Sequence, residues 1–333
     1  MRILVVNQDE VGRLLPMAEC MEAMAEVLRT LGRGEALLPL RTIVHLPGGM
    51  GEFAVMPSYL ARPAAIGLKA ITVFPRNEGT AYDSHQGAVL LFDVEHGSLV
   101  ALMDASSITA IRTAAVSGVA TRLLAREDAA DLALLGTGVQ ALTHLEAMLL
   151  ARRVTRVRAW SRSRDNVARF VDAAARRFGV TVEAARDARA AVEGASLICT
   201  TTSAHQPILE GAWIAPGAHV NAVGSSIRTA RELDSAAMKR AVLFVDRRES
   251  AQAEAGDFLI PKAEGAFGDE HILGDLGDVL LARHPGRTAA QQVTVFKSLG
   301  LSVEDVASAH HIHAAAVRGG LGTWIELGGE RRP

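Results

Sequence analysis

Apolar positions recur along the chain with two periods, and the change of period divides it. After Pro16, the residues Met21, Met24, Val27, Leu28 and Leu31 fall at helical spacing, and the pattern closes near Gly32 and Gly34. Strand-like runs follow at 38–46, 53–60 and 66–74, and a hairpin pairs 88–94 with 98–103 across Glu95-His96-Gly97. Strands joined by short turns predict an antiparallel sheet. Over 106–125 the period returns to that of a helix. Ile108, Ile111, Ala115, Val119 and Leu123 form one apolar stripe with Arg112 beside it, which predicts a long helix connecting two domains.

From residue 130 strand and helix patterns alternate. Strand-like runs lie at 131–135, 156–161, 181–184, 196–201, 219–223 and 242–245, with helical patterns between most of them. Such alternation predicts a doubly wound parallel sheet of the Rossmann kind. Residues from about 290 onward read as helical and return to the first domain. The expected fold class is α/β: a Rossmann domain over 116–304, and a strand-rich α+β domain over 1–115 completed by C-terminal helices at about 305–333.

Composition narrows the function classes. Apolar residues at 49% and charged residues at 22% suit a globular protein. A net charge of -2 without a local basic run argues against nucleic acid. No apolar run is long enough to span a bilayer, and the start, Met1 to Asn7 followed by Asp9 and Glu10, does not read as a signal peptide. Cys20 and Cys199 lack any metal or redox spacing, read as small core residues, and fit a reducing cytoplasm. His310, His311 and His313 diverge around a helix with no carboxylate at a useful spacing. They read as a solvated helix face and not as a metal site.

The chemistry starts at Gly136-Thr137-Gly138-Val139-Gln140-Ala141, because the apolar strand Leu132-Ala133-Leu134-Leu135 runs directly into it and a helical pattern follows. Gly136 permits the tight turn, Gly138 the approach of a pyrophosphate, and Ala141 close packing of helix on sheet. Free N–H groups at the helix start then face the phosphates. The next strand ends in Trp160-Ser161-Arg162-Ser163-Arg164, with no acid before Asp165. A carboxylate there would take the ribose 2′-hydroxyl of NAD; Ser161, Arg162 and Ser163 suit a 2′-phosphate. The expected cofactor is NADP(H), with NAD(H) as the other possibility.

Three cations stand out in the first domain. Lys69 shares a strand face with Ile71 and Val73, Arg41 shares one with Ile43, and Arg112 flanks the helical stripe. Each alone has a bland explanation in edge-strand charges or snorkelling stems. Together they suggest a pocket for a small anion, with a carboxylate held by two arginines. Desolvation of Lys69 would lower its pKa and make it a proton donor or acceptor near neutrality.

These features resemble, over essentially the whole chain, the ornithine cyclodeaminase/μ-crystallin family. The resemblance rests on Pro39-Leu40-Arg41, Gly67-Leu68-Lys69-Ala70, Ser84-His85-Gln86-Gly87, Thr109-Ala110-Ile111-Arg112-Thr113-Ala114-Ala115, the glycine loop, Asn221-Ala222-Val223-Gly224 and Arg231-Glu232-Leu233-Asp234. It implies a homodimer built through the strand-rich domain, which also binds substrate, and a site in the cleft between domains. It implies substrate contacts at Arg41, Lys69 and Arg112, with Lys69 and Arg112 in the catalytic set. Cofactor contacts are implied for Arg112, Gly136, Thr137, Gly138, Val139, Gln140, Ser161, Arg162, Ser163, Thr201, Val223 and Ser298, with Ser84 near the reacting end.

One departure from the family separates its activities. Its cyclodeaminases carry an aspartate two residues after the Asn-Ala-Val-Gly run, and this chain has Ser226 there. Serine does not serve unaided as the base that ring closure needs. The expectation is therefore NAD(P)H-dependent reduction of a cyclic imino acid such as Δ1-pyrroline-2-carboxylate. The alternatives are an alanine-dehydrogenase-like enzyme, an ornithine cyclodeaminase and an NADPH-dependent binder of small ligands without turnover.

Overall fold

The stripe over 106–125 forms one helix, Ala105–Leu124, and it is buried on more sides than a stripe requires. Every residue from Arg112 to Thr121 is buried, and most are small, so neighbouring segments approach the backbone on all sides. The computed structural model describes residues 2–77 and 79–329. It divides into two compact units: Met1–Arg112 with Leu301–Pro333, and Thr113–Gly300.

In the first unit eight strands form a mixed sheet. The order runs Thr323–Glu326, Arg2–Val6, Leu99–Asp104, His85–Phe92, Ala64–Val73, Glu52–Ala61, Ala36–Leu37, and Thr42–His45 also pairs with Glu52–Ala61. Only Arg2–Val6 beside Leu99–Asp104 is parallel. The predicted single run at 38–46 divides into Ala36–Leu37 and Thr42–His45, and Arg41 lies just outside the second strand. The helix Ser302–Gly319 packs on Glu52–Ala61, Ala64–Val73 and His85–Phe92, and against Met17–Gly32. Gly67 makes that packing close: a Cβ there would stand 2.3 Å from Cγ2 of Val306.

The second unit holds an eight-stranded sheet that is parallel throughout. Its order is Val182–Ala184, Arg156–Trp160, Asp131–Leu135, Leu197–Thr200, His219–Ala222, Thr294–Lys297, Val242–Val245, Ile272–Asp275. Chain order reverses between Asp131–Leu135 and Leu197–Thr200, the switch point at whose carboxyl end α/β sheets bind ligands. Two of these strands were not expected. Residues from about 290 read as helical, yet Thr294–Lys297 is a central strand, and Ile272–Asp275 forms the edge. Thr294–Lys297 is buried at all four positions, so it shows no alternation, and Lys297 disguises it further. The helical return is the segment Ser302–Gly319, followed by the strand Thr323–Glu326.

Candidate active site

The strand Asp131–Leu135 delivers the chain to Gly136 with φ +109, a left-handed value that side chains disfavour. Thr201 closes the other side, since a Cβ at 136 would meet its carbonyl oxygen and Oγ1 at 2.7 Å. Gly138 begins the helix Val139–Ala151 with no side-chain cap, and a Cβ there would meet nothing within 4 Å. Space is thus open beside the helix start, where Ala141 N donates to the Gly138 carbonyl at 3.1 Å and the Ala141 side chain is fully buried. His144 steadies this turn: its Nδ1–H donates to the Gln140 carbonyl at 2.7 Å, and Ser117 Oγ lies 3.0 Å from Nε2. Burial pushes the imidazole pKa down to about 4, so the ring is neutral and has one N–H to give.

Beside the loop, Thr137 Oγ1 donates to Ser161 Oγ at 3.0 Å, and Ser161 Oγ donates to the Ser163 carbonyl at 3.0 Å. Ser163 caps the helix Arg164–Phe178 by accepting from Asn166 N, and Arg162 is exposed between the two serines. An uncapped helix start, room at Gly138 and the serine-lined turn at the end of the second strand fit a dinucleotide.

Three further segments at the carboxyl ends of strands carry the remaining expected cofactor positions. Thr201 N donates to Leu135 O, Val223 N to Thr200 O and Ser298 N to Ala222 O. What fixes these segments is a set of buried charges that sequence reasoning missed. Glu232, without exposure, accepts from Thr200 Oγ1 (2.6 Å), Thr202 N and Oγ1 (both 2.7 Å) and Gly224 N (2.7 Å). Burial and then the charge of Asp257 push its pKa up, while the donated hydrogens favour the ionised form. Asp257 Oδ1 accepts from Glu232 N and Leu233 N, and its Oδ2 lies 3.3 Å from Lys297 Nζ, which also donates to Ala222 O. Asp246 Oδ2 accepts from Leu299 N and Gly300 N. The segments bearing Thr201, Val223 and Ser298 are thus each tied to a buried carboxylate or ammonium. Ser226, the position that departs from the cyclodeaminase pattern, is half-buried.

In the first unit Lys69 and Arg112 come together. Lys69 is 2% and Arg112 4% exposed. Lys69 stands on a strand with neighbours on both sides, so a role as an edge charge does not explain it. Its Nζ donates to Thr109 Oγ1 at 2.6 Å and to Asp305 Oδ1 at 3.3 Å. Arg112 donates from Nε to the same Oδ1 at 2.9 Å and from Nη1 to Glu304 Oε2 at 2.9 Å. Buried cations in the sequence suggested an anionic ligand as their partner; Asp305 and Glu304 of the chain itself supply much of that counter-charge. Glu304 and Asp305 open the helix Ser302–Gly319, where acidic residues read as ordinary first-turn charges. Nothing in the sequence near them points to Lys69 or Arg112.

Burial lowers the Lys69 pKa to about 8, with the charge of Asp305 opposing the shift and those of Arg112 and Arg41 adding to it. Arg41 is half-buried. Burial, then the charge of Lys69, also pushes His85 down, and Ser84 Oγ lies 3.2 Å from His85 Nδ1. The histidines of Ser302–Gly319 differ from the expected solvated face: His310, His311 and His313 are half-buried, and His311 Nε2 lies 3.1 Å from Glu19. Among the described residues no group of acidic, histidine or cysteine side chains is arranged to hold a metal. No helix among them is long and apolar enough to cross a membrane. Cys20 and Cys199 are buried, as their apolar settings predicted.

Known proteins resemble the chain over 84% to 98% of its length. Mouse ketimine reductase mu-crystallin is 41% identical over 84% of this chain and 85% of its own. A Delta(1)-pyrroline-2-carboxylate reductase of Bacillus cereus is 34% identical over 98% of this chain and all of its own. Among solved structures, Thermococcus litoralis Delta(1)-pyrroline-2-carboxylate reductase in complex with NADH and L-proline superposes with a TM-score of 0.94. It is 34% identical and covers 96% of this chain and 99% of that one. The ornithine cyclodeaminase/mu-crystallin family matches residues 1–320, and the chain belongs to that family.

Proposed function

We propose that the chain is an NAD(P)H-dependent reductase that converts a cyclic imino acid of the Δ1-pyrroline-2-carboxylate kind to the corresponding L-amino acid. The observation that carries this reading is Lys69: a buried ammonium with a pKa of about 8, held by Thr109 and Asp305 beside Arg112. Arg41 and Arg112 take the substrate carboxylate and orient the C=N bond, and orientation alone accounts for a large part of such a rate. A bound dihydronicotinamide supplies the hydride that goes to the imine carbon. The π pair of C=N passes to nitrogen, Lys69 Nζ gives that nitrogen a proton, and the neutral amine of Lys69 regains one from water. Gly136, Thr137, Gly138, Val139 and Gln140 hold the pyrophosphate, with Ser84, Thr201, Val223 and Ser298 along the rest of the cofactor. Ser226 offers no base for ring closure with loss of ammonia, which favours reduction over cyclodeamination.

Within this reading NADPH is preferred over NADH. The support is Arg162, exposed between Ser161 and Ser163 where an NAD site usually places a carboxylate. The active form is a homodimer through the first unit. Val44, Phe53, Tyr59 and Ile66 are exposed, and their strand pairing puts them on one face of the sheet, opposite to Lys69. An apolar face of that kind suits a second copy of the chain.

Product analysis tests the reaction. Purified protein given Δ1-pyrroline-2-carboxylate and NADPH should yield L-proline with one cofactor oxidised per imine consumed. Cofactor oxidation without an amino acid, or proline formed only from ornithine, would overturn the assignment.

A further inference from the structure

One carboxylate oxygen serves both Lys69 and Arg112. Asp305 Oδ1 accepts from Arg112 Nε at 2.9 Å and from Lys69 Nζ at 3.3 Å. The aspartate has no exposure, and its Oδ2 is buried without a hydrogen-bond partner among the described residues. Its neighbour Glu304 meets a local need as well as binding Arg112: its Oε2 accepts from Leu301 N at 3.1 Å and closes the start of the helix. The side chain of Asp305 instead accepts from residues 193 and 236 positions away. Taking a carboxylate out of water is costly, and replacement of a buried ion pair by apolar side chains is often neutral or stabilising. Stability alone therefore gives little reason for an acid here, whereas setting the direction and charge of two cations does.

We propose that Asp305 is a positioning residue for the reaction: its Oδ1 fixes the Lys69 ammonium against the Arg112 guanidinium and sets the negative charge that faces both. This inference rests on the reading of Lys69 as proton donor. The charged groups that bear on Lys69 are Asp305 on the helix Ser302–Gly319, Arg112 on Ala105–Leu124, and Arg41 ahead of Thr42–His45; His85 on His85–Phe92 senses the Lys69 charge in return. Glu304 reaches it through Arg112. Both Arg112 and Arg41 oppose protonation of Lys69, and Asp305 opposes them. Without the Asp305 charge the ammonium would face two guanidinium groups in a buried setting, and its proton would leave at lower pH.

The test uses Asp305→Asn in the full chain. With only four lysines, Lys69, Lys239, Lys262 and Lys297, the titration of each ¹³C-labelled side chain is separable by NMR without substrate or cofactor. The proposal expects Lys69 to titrate at least about one unit lower than in the wild type, with the alkaline limb of kcat/KM for Δ1-pyrroline-2-carboxylate moving by the same amount. At the pH where wild-type Lys69 is still charged, kcat should fall at least roughly tenfold, and KM less. An unchanged Lys69 titration, or an activity loss with an unmoved pH profile, overturns it. A shifted Lys69 in a protein whose wild type reduces no cyclic imine supports the hold of Asp305 on Lys69 and overturns the reductase reading instead. Should Asp305→Asn not fold, Asp305→Glu retains the charge and displaces the oxygen. It should keep the wild-type pH profile with a lower kcat, and wild-type kcat in that variant overturns the proposal.

Discussion

Thr201 stands directly over Gly136, so that a Cβ on residue 136 would meet the threonine carbonyl oxygen and Oγ1 at 2.7 Å. The contact joins the turn after Asp131–Leu135 to the segment after Leu197–Thr200, the two strands that flank the switch point. Gly136→Ala must displace one of them and also strain a backbone at φ +109. The expected outcome is a dinucleotide Kd raised at least roughly tenfold, read by fluorescence titration, with little change in far-UV circular dichroism. Wild-type affinity would show that the turn is not part of the cofactor site.

Lys69→Ala separates chemistry from binding. Loss of a general acid of this kind lowers turnover by about 10²–10⁴-fold. Cofactor Kd should stay within about threefold of wild type, a difference of well under 1 kcal/mol. Equal losses in both quantities would mean that Lys69 is structural.

A donor with a pKa of about 8 also gives the pH profile a direction. As the proposed donor, Lys69 would act in its charged form, which is present below that value and lost above it. The kcat/KM of the wild type should therefore decline as pH rises through about 8, tenfold per unit at the limit. An alkaline limb that persists unchanged in Lys69→Arg would assign the titration to another group.

Cofactor choice should turn on Arg162. A guanidinium at the 2′-phosphate is worth about 1.5–3 kcal/mol as a charge-assisted bond. Arg162→Ala should raise KM for NADPH by roughly ten- to a hundredfold and leave KM for NADH nearly unchanged, as measured by initial rates with each cofactor. Equal effects on both would place Arg162 against the adenine.

Glu232 carries a prediction about stability. Glu232→Ala removes the acceptor of Thr200 Oγ1, Thr202 N, Thr202 Oγ1 and Gly224 N in a buried setting. A buried donor left unsatisfied costs about 1–3 kcal/mol, so the variant should lose at least that much in denaturant unfolding. A stability within about 0.5 kcal/mol of wild type would show that the segments at Thr200–Thr202 and Gly224 hold without it.

How far the sequence discloses this protein depends on whether a feature leaves a local trace. The strand Asp131–Leu135, its glycine turn and the helix after it are adjacent in sequence, so strand period, Gly136 and Gly138 could be read together. Lys69 was visible because a charge interrupts an apolar strand. Its partner was not: Asp305 lies 236 positions away and begins a helix, where an acid is unremarked. Glu232, Asp246 and Asp257 are hidden for the same reason, since many of their partners are backbone N–H groups that no side-chain pattern announces, and Lys297, 40 positions from Asp257, is as distant in sequence. Thr294–Lys297 escaped because a strand buried on both faces has no alternation to detect.

Parallel initial-rate assays decide whether the chain reduces a cyclic imine. NADPH oxidation would be followed with Δ1-pyrroline-2-carboxylate, beside NADH with the same imine, pyruvate with ammonia, and ornithine with NAD. A cyclic-imine reductase should oxidise cofactor rapidly with the imine, faster with NADPH than with NADH, and react far more slowly in the other two mixtures. Proline and ammonia released from ornithine at a comparable rate, or no turnover of the imine by a protein that binds NADPH tightly, would contradict it.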